Sequence, residues 1–321
     1  MSESPTLDVV VLTYNSGRTI KYCLDSLVSQ KFKQFNLLVV DDCSTDDTIK
    51  IVKSYRDKLK IKILMNGSHI VAKGRNIGLR KSSADIVAFV DSDDAAVSNW
   101  TDTIMKSFVE EPEVALISGP FLPSYRNITA RVIATNDEVI RHLFGGGVLQ
   151  FGAGNCALNR NLIGQYFFDD DFVCGEDLEL ISRLRDKYTW RFVEDMKIHY
   201  NSRSSFKDFF KQMHNYGQWK LFYGFKARDY RLIDFVPLSI MVLSIVTAIV
   251  VRSLLPISTI IFFSLAESLF VILYRRPVFL VSLLTFPAWI IKNIAWSLGI
   301  MQGLYILSTS RSMRNLLISK R

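Results

Sequence analysis

Ile86-Val-Ala-Phe-Val-Asp-Ser-Asp-Asp94 decides how this chain reads. The apolar run at 86–90 is short and rich in valine, as in a strand buried on both faces of a parallel sheet. Three carboxylates, Asp91, Asp93 and Asp94, crowd its carboxyl end. Carboxylates packed that densely repel one another unless a cation lies between them. Mg2+ and Mn2+ take oxygen ligands and usually share them with a substrate's phosphates.

Outward from this stretch, strands and helices alternate. Apolar runs at 7–12, 35–40, 61–64 and 114–118 read as further strands. Helices are expected from the Asn15-Ser16-Gly17 turn to about residue 30, after the Thr45-Asp-Asp-Thr48 cap, over 74–82 and over 99–110. That alternation predicts an α/β fold: a mainly parallel sheet with helices on both faces. Ligands bind beyond the carboxyl ends of such strands, where Asp41-Asp42 and Asp91–Asp94 both fall. After Gly119 the pattern loosens into glycine-rich segments at 145–147 and 151–155. A helix over 176–186 and a strand over 190–193 follow.

Charge and hydropathy divide the chain differently. From Leu232 to Arg321 there are two acidic residues, Asp234 and Glu267, against eight basic ones, so this third carries +6 of the net +8. A nucleic-acid binder would instead cluster its basic residues on a folded domain. Apolar stretches at 235–251, 257–274 and 278–307 predict about three spans, each needing about 20 residues, with the third over-long. It either crosses or bends back at Pro287 or Lys292. Arg275-Arg276 marks a cytoplasmic loop, placing the N-terminal domain in the cytoplasm of a cell-membrane protein. The segment 206–225, with Phe206, Phe209, Phe210, Met213 and Tyr216 along one side, suits an interfacial helix. The expected division is 1–204, a cytoplasmic catalytic domain; 205–231, the interface; and 232–321, the transmembrane domain. Cys23, Cys43, Cys156 and Cys174 form no C-x-x-C pair and read as reduced thiols. Charged residues inside spans default to functional hypotheses, but a Glu267–Lys292 pair packing two helices is the simpler expectation.

Five stretches together resemble family 2 glycosyltransferases in order and spacing. They are Asp8-Val-Val-Val-Leu-Thr-Tyr-Asn15, Val39-Val-Asp-Asp-Cys-Ser-Thr-Asp46, Gly74-Arg-Asn-Ile-Gly78, Asp91-Ser-Asp-Asp94 and Gly175-Glu-Asp177. The resemblance covers about residues 7–203 and implies a GT-A fold and a nucleotide-diphosphate sugar donor. It also implies an inverting, metal-dependent hexosyltransferase, which the apolar C-terminal third would hold at a bilayer near a polyprenyl-linked acceptor. GDP-mannose is the donor suggested by similarity to prokaryotic enzymes that build lipid-linked glycans, in N-glycan or surface-glycan assembly.

Carried onto this sequence, the resemblance makes Asp93 the direct ligand of Mn2+ or Mg2+, with Asp91 placing the metal or the ribose. Asp41, Thr13 and Asn15 would line the nucleotide pocket. Arg75 could meet a phosphate with its fork of donors or make an ordinary surface salt bridge. Asp177 matches the catalytic base, although Glu176-Asp177 also suits a helix N-terminus electrostatically. The segment 151–159 looks like the acceptor loop, making Gly154, Asn155 and Glu176 acceptor candidates. His199 could complete a metal or phosphate site, or be structural. Gln212-Met-His-Asn-Tyr216 departs from the glutamine, arginine and tryptophan pattern of cellulose-synthase-like members. This puts processive synthesis in doubt and leaves Gln212 and Tyr216 as acceptor candidates. A dolichyl-phosphate sugar synthase, with Lys207, Lys211 and Arg228 receiving the lipid phosphate, and a polysaccharide synthase that exports its product are the rival expectations.

Overall fold

The computed structural model describes residues 5–144, 151–165, 167–227, 230–253, 258–275 and 279–310. Gly145-Gly146-Gly147, Arg228 and Arg276, all read above, lie outside them, as do residues 311–321 with four of the eight basic residues counted from Leu232 on. The elements, in chain order, are β1 (Leu7–Thr13), α1 (Ile20–Val28), β2 (Phe35–Asp41), α2 (Thr48–Lys53), β3 (Ile61–Met65), α3 (Val71–Lys81) and β4 (Ile86–Asp91). Next come β5 (Ala95–Ala96), α4 (Trp100–Glu110), β6 (Val114–Ser118), β7 (Phe121–Ser124), α5 (Ile128–Phe144), β8 (Asn155–Asn159), α6 (Arg160–Ile163) and α7 (Glu176–Leu184). The last are β9 (Thr189–Phe192), β10 (Ile198–Asn201), α8 (Phe206–Ala227), α9 (Val236–Val251), α10 (Ser258–Arg275) and α11 (Phe279–Thr309).

Two compact units divide the chain: Met1–Pro123 with Gly145–Asn201, and Ser124–Phe144 with Ser202–Arg321. The second unit thus takes α5 as well as everything after β10.

The first unit is built on a seven-stranded sheet, ordered β3-β2-β1-β4-β8-β6-β9. β1, β2, β3 and β4 run parallel, as do β6 and β9; β8 is antiparallel to β4 and β6. The apolar strands are continuous because both faces are covered. Val9 and Val11 of β1 face Cys23, Leu24 and Leu27 of α1 and Trp100, Ile104 and Phe108 of α4. Val10, between them, faces the other way, with Phe89, Leu79 of α3 and Leu180, Ile181 and Leu184 of α7. Each such side chain, fully buried, contributes about 1.5–3 kcal/mol. A smaller sheet, β5-β10-β7, lies after the acidic turn.

Two details differ from expectation. The first helix begins at Ile20 rather than at Asn15, because Asn15 has φ 48° and Ser16–Thr19 form a turn. The region after Gly119 is more regular than its glycines suggest: β8 is buried mid-sheet, with Cys156 opposite Phe89 and Ala157 opposite Ile117.

In the second unit three helical stretches are long and apolar enough to cross a membrane: Leu232–Val251, Ser258–Arg275 and Phe279–Thr309. α11 runs unbroken through Pro287 and Lys292 for 31 residues, so it does not bend back at either. Its length is about 46 Å, against about 30 Å of bilayer hydrocarbon. α8 packs on α11 where Gly299 meets the His214 backbone and Gly217 the Trp296 backbone, small residues letting the helices approach. Lys292 Nζ lies 4.0 Å from Glu267 Oε1, and Asn293 Nδ2 donates to Glu267 Oε2 (2.5 Å) and to Ser264 Oγ (3.1 Å). These contacts join α10 to α11, the packing role expected of the pair.

Candidate active site

Parallel register brings the first candidates together. Thr13 stands opposite Asp41, and Leu12 opposite Asp91, so Thr13, Asp41 and Asp91 occupy three adjacent strand ends. Thr13 Oγ1 is buried without a hydrogen-bond partner. A buried hydroxyl left unpaired is rare and calls for a partner from outside the chain. Asp41, also buried, accepts from Ser44 Oγ (2.6 Å) and Ser44 N (3.0 Å). Asn15 is committed to the loop: its N donates to Ser44 Oγ (2.9 Å), and its Oδ1 accepts from Thr45 N (2.8 Å). Ser44, which the sequence reading passed over, is therefore the joint between the first two loops. Its signal was local: a serine three residues after an aspartate, close enough for its hydroxyl and N–H both to reach that carboxylate.

Arg75 is neither a phosphate fork on the surface nor an exposed ion pair. It is buried on α3, with its guanidinium 5.6 Å from the Phe89 ring and 5.8 Å from that of Phe168. Its Nε donates to Glu176 Oε1 (3.3 Å), Nη1 to Ala153 O (2.9 Å) and Nη2 to Asp91 Oδ1 (3.2 Å). One side chain thus ties the end of β4, the 151–154 loop and the start of α7. Burial alone would lower its pKa; Asp91 and Glu176 more than offset that and raise it. The rest of the 74–78 stretch serves the same placement. A Cβ at Gly78 would lie 2.6 Å from Val10 Cγ1 and one at Gly74 2.9 Å from Leu12 Cδ2, so the glycines let α3 sit down on β1. Asn76 latches the chain at 168–170, donating to Phe168 O (2.8 Å) and Asp170 Oδ1 (2.6 Å) and accepting from Phe168 N (2.9 Å).

Glu176 and Asp177 open α7 after Gly175, whose φ of 82° favours glycine. Their side chains part. Glu176 turns inward to Arg75 and is buried. Burial, then the neighbouring Asp177 charge, push its carboxyl up to about 7, against the pull of Arg75. Asp177 stays partly accessible; its Oδ1 accepts from Leu178 N (2.8 Å) and its Oδ2 from Ala153 N (3.3 Å). Its pKa is raised by desolvation, against opposing backbone hydrogen bonds and Arg75. A carboxylate with a raised pKa and an open face is suited to accept a proton near neutral pH.

The acceptor candidates fare differently. Gly154 leaves no room for a Cβ against the Asp91 carboxylate, so its close approach is to Asp91. Asn155 is fully buried and committed: its Oδ1 accepts from Trp100 Nε1 (2.8 Å), and its Nδ2 donates to Met196 O (2.8 Å) and Pro120 O (3.2 Å). It braces the core and, fully buried, presents no atom to an acceptor, which corrects its expected role. Gln212 and Tyr216 belong to α8 in the second unit, where Gln212 Nε2 donates to Tyr216 Oη (3.1 Å).

Asp93 lies in the turn after β4, and Asn201 Nδ2 holds its carbonyl (2.9 Å). His199, on β10, pairs with Ala95 of β5, two residues beyond Asp93. Among the described residues, no three His, Cys, Asp or Glu side chains converge to hold an ion unaided. Asp91 and Asp93 offer a small, hard, oxygen-only set. That fits a Mg2+ or Mn2+ ion whose remaining positions go to substrate phosphates and water.

Residues 8–167 match the profile of Glycosyl transferase family 2. The chain carries a family 2 glycosyl transferase domain. A relative, the poly(ribitol-phosphate) beta-N-acetylglucosaminyltransferase TarS of Staphylococcus aureus, is 47% identical over 90 residues, 27% of this chain and 16% of that protein. The chain thus spans about a sixth of that relative's length. A Methanococcus voltae protein is 24% identical over 238 residues, covering 67% of this chain and 72% of its own. It is described as dolichyl N-acetyl-alpha-D-glucosaminyl phosphate 3-beta-D-2,3-diacetamido-2,3-dideoxy-beta-D-glucuronosyltransferase. In fold, the chain is similar to a Pyrobaculum calidifontis mannosyltransferase solved with GDP-Man and Mn2+, with TM-score 0.62, 17% identity, and 95% of this chain and 88% of that one covered.

Proposed function

We propose that this chain is a membrane-anchored, inverting glycosyltransferase that moves a sugar from a nucleotide-diphosphate donor to a lipid-linked acceptor on the cytoplasmic face of the membrane. The observation that carries the reading is the division of labour around Arg75. One guanidinium holds Asp91 at the donor-side strand end and Glu176 beneath the helix that presents Asp177. The donor pocket and the proposed base are thereby fixed to the same side chain.

In this reading Thr13 and Asp41 receive the nucleoside, Thr13 through its unpaired hydroxyl. Asp91 and Asp93 would hold a divalent cation, which offsets charge developing on the departing diphosphate. Asp177 takes the proton from the acceptor hydroxyl as that oxygen attacks the anomeric carbon. The bond to the diphosphate breaks on the opposite face, so configuration inverts. Glu176, turned to Arg75, orients the helix start and takes no proton from the acceptor. A lipid-linked acceptor is favoured by the three apolar helices and by the Methanococcus voltae relative, whose name specifies a dolichyl phosphate sugar as acceptor. Mannose from GDP-mannose is the proposed donor, on the family resemblance.

The test is a panel of nucleotide sugars presented to the full chain in membrane vesicles with Mn2+ or Mg2+, with and without polyprenyl-linked sugars and polyprenyl phosphate. Transfer from GDP-mannose to the polyprenyl-linked sugar, with inversion, is expected. Transfer only to bare polyprenyl phosphate would move the assignment to a lipid-phosphate sugar synthase. A lack of turnover with every donor would contradict the reading.

A further inference from the structure

At the end of the sheet away from the candidate active site lies a cavity of about 250 Å3, lined by Leu79, Arg80, Arg160, Ile163, Gly164 and Phe167. Arg160 follows β8, whose last residue, Asn159, pairs with Ile86 at the start of β4. Asp91 stands five residues further along that strand, roughly 17 Å away at about 3.3 Å per residue. Arg160 is anchored where it stands: its N donates to Asp85 O (2.8 Å), and its Nη1 to Ser82 O (2.5 Å) and Ala84 O (3.1 Å). Both Nη1 hydrogens are thereby used and the guanidinium plane is fixed, leaving its Nε and Nη2 edge. Among the described residues nothing accepts from that edge. Arg80, in the last turn of α3, lies with Cζ 4.9 Å from the Phe167 ring centroid, and its donors likewise meet no acceptor among the described residues. The carboxylates at this end of the sheet are taken up by other groups. Asp8 accepts from Asn36 Nδ2 (2.8 Å) and Ser82 Oγ (2.7 Å), and Asp85 from Thr6 N (2.9 Å), Thr6 Oγ1 (2.8 Å) and Asn161 Nδ2 (2.9 Å). Neither pairs with Arg80 or Arg160. The buried Leu79 and Ile163, with the half-buried Phe167, give the cavity an apolar wall. Gly164 keeps its mouth clear, since a Cβ there would meet nothing within 4 Å.

We propose that this cavity is a second ligand site, separate from the donor pocket, that takes a phosphate monoester with a small apolar or aromatic body. The proposal stands independently of the nucleotide-sugar reading. Two guanidinium charges without a carboxylate partner are matched by one dianion, and a phosphate monoester carries nearly two charges at neutral pH. The Nε and Nη2 hydrogens of Arg160 form the parallel pair of donors that suits two oxygens of one phosphate. Arg80 brings a second fork to the same cavity, and neither guanidinium loses its charge in the physiological range. Leu79, Ile163 and Phe167 then cover the body of the ester. A carboxylate offers a single charge, and inorganic phosphate has no body for the apolar wall, so each is the poorer match. The volume falls just below that of ordinary small-molecule sites, about 300–1,000 Å3, which limits the body to about one ring.

The rival is that Arg160 only braces the 82–84 turn and Arg80 only offsets the negative end of α3. Calorimetry on the detergent-solubilised full chain separates the two, with EDTA present so that no divalent ion recruits phosphate to the donor side. The probes are phenyl phosphate, inorganic phosphate and benzoate, and the variants Arg80→Ala and Arg80→Lys. The wild type should bind phenyl phosphate more tightly than either other probe by about threefold or more. Arg80→Ala should weaken phenyl phosphate about tenfold or more, and Arg80→Lys by less, while the melting temperature without ligand holds. No binding of phenyl phosphate, an affinity no better than that of inorganic phosphate or benzoate, or an affinity unchanged in Arg80→Ala overturns the proposal. The source of the ester is read in nanodiscs containing phosphatidic acid, set against phosphatidylglycerol at matched surface charge. Weaker phenyl phosphate binding with phosphatidic acid names a lipid headgroup, and equal binding names a soluble ester; either result supports the site.

Discussion

The backbone of Gly154 lies against the Asp91 carboxylate so closely that a Cβ there would sit 3.0 Å from Asp91 Cγ. The glycine belongs to the 151–154 loop, the aspartate to the end of β4, and Arg75 holds both through Ala153 O and Asp91 Oδ1. Loop and carboxylate are therefore one assembly. Gly154→Ala should displace Asp91 while the sheet survives. Overpacking of this kind costs about 1–3 kcal/mol, so nucleoside-diphosphate affinity with Mn2+ should fall about tenfold or more in calorimetry. Unchanged affinity would mean that Asp91 does not serve the donor.

Arg75 should be hard to replace. Its three donations go in three directions, to Glu176, Ala153 and Asp91, which a lysine ammonium cannot reproduce. Arg75→Met leaves two carboxylates facing each other around an apolar gap, and removing one partner of a buried pair costs about 3–5 kcal/mol. Denaturant unfolding of the solubilised chain should show a loss of that order for Arg75→Met and a smaller one for Arg75→Lys. Equal stability in all three would place Arg75 outside the structural core of the site.

The buried Glu176 carboxyl predicts a pH dependence of stability. Its pKa is about 7 in the fold against an ordinary value of 4.5. The fold thus binds this proton more tightly than the unfolded chain does. Its stabilising contribution is complete below pH 4.5, declines as pH rises toward 7, and is lost above it. The effect is bounded at about 3 kcal/mol. Glu176→Gln, neutral throughout, should flatten the profile, so that unfolding midpoints at pH 5 and pH 8 differ less than in the wild type. A steeper profile in the variant would contradict the assigned pKa.

The orientation of the membrane helices is open to direct measurement. With the sheet domain in the cytoplasm and three crossings, Ser253, after α9, and Ser310, after α11, both face outside. Ser253→Cys and Ser310→Cys should each react with an impermeant thiol reagent on intact cells. Labelling of the first alone would mean that α11 does not cross, and labelling of neither that the domain is outside.

What the sequence disclosed follows from where each signal resides. β1, β2 and β4 are legible because burial on both faces leaves unbroken apolar runs, and the acidic turn is legible because its carboxylates are adjacent. β8 was hidden because its five residues begin and end in asparagine, and its burial comes wholly from pairing with β4 and β6. Arg75 was misread for a related reason. Its partners lie 16, 78 and 101 residues away, so no local pattern could say that it is buried. Asn155 looked like part of a flexible acceptor loop because the glycines before it are visible in sequence, whereas the Trp100 and Met196 groups that consume its side chain are not. The resemblance puts Asp177 forward as the base; what needed coordinates was that its neighbour Glu176 is turned to Arg75, since adjacent residues at a helix start point in different directions.

The account depends most on Asp177 as the base. Asp177→Asn keeps the size of the side chain and its acceptor for Leu178 N or Ala153 N, but it cannot take a proton at neutral pH. Loss of a general base typically costs about 10²–10⁴-fold in rate. Steady-state transfer to a lipid-linked acceptor, measured beside donor binding, should show kcat falling by that factor with donor affinity nearly unchanged, because Thr13, Asp41 and Asp91 are untouched. Transfer by Asp177→Asn at near wild-type rate would contradict the account and turn attention to Glu176.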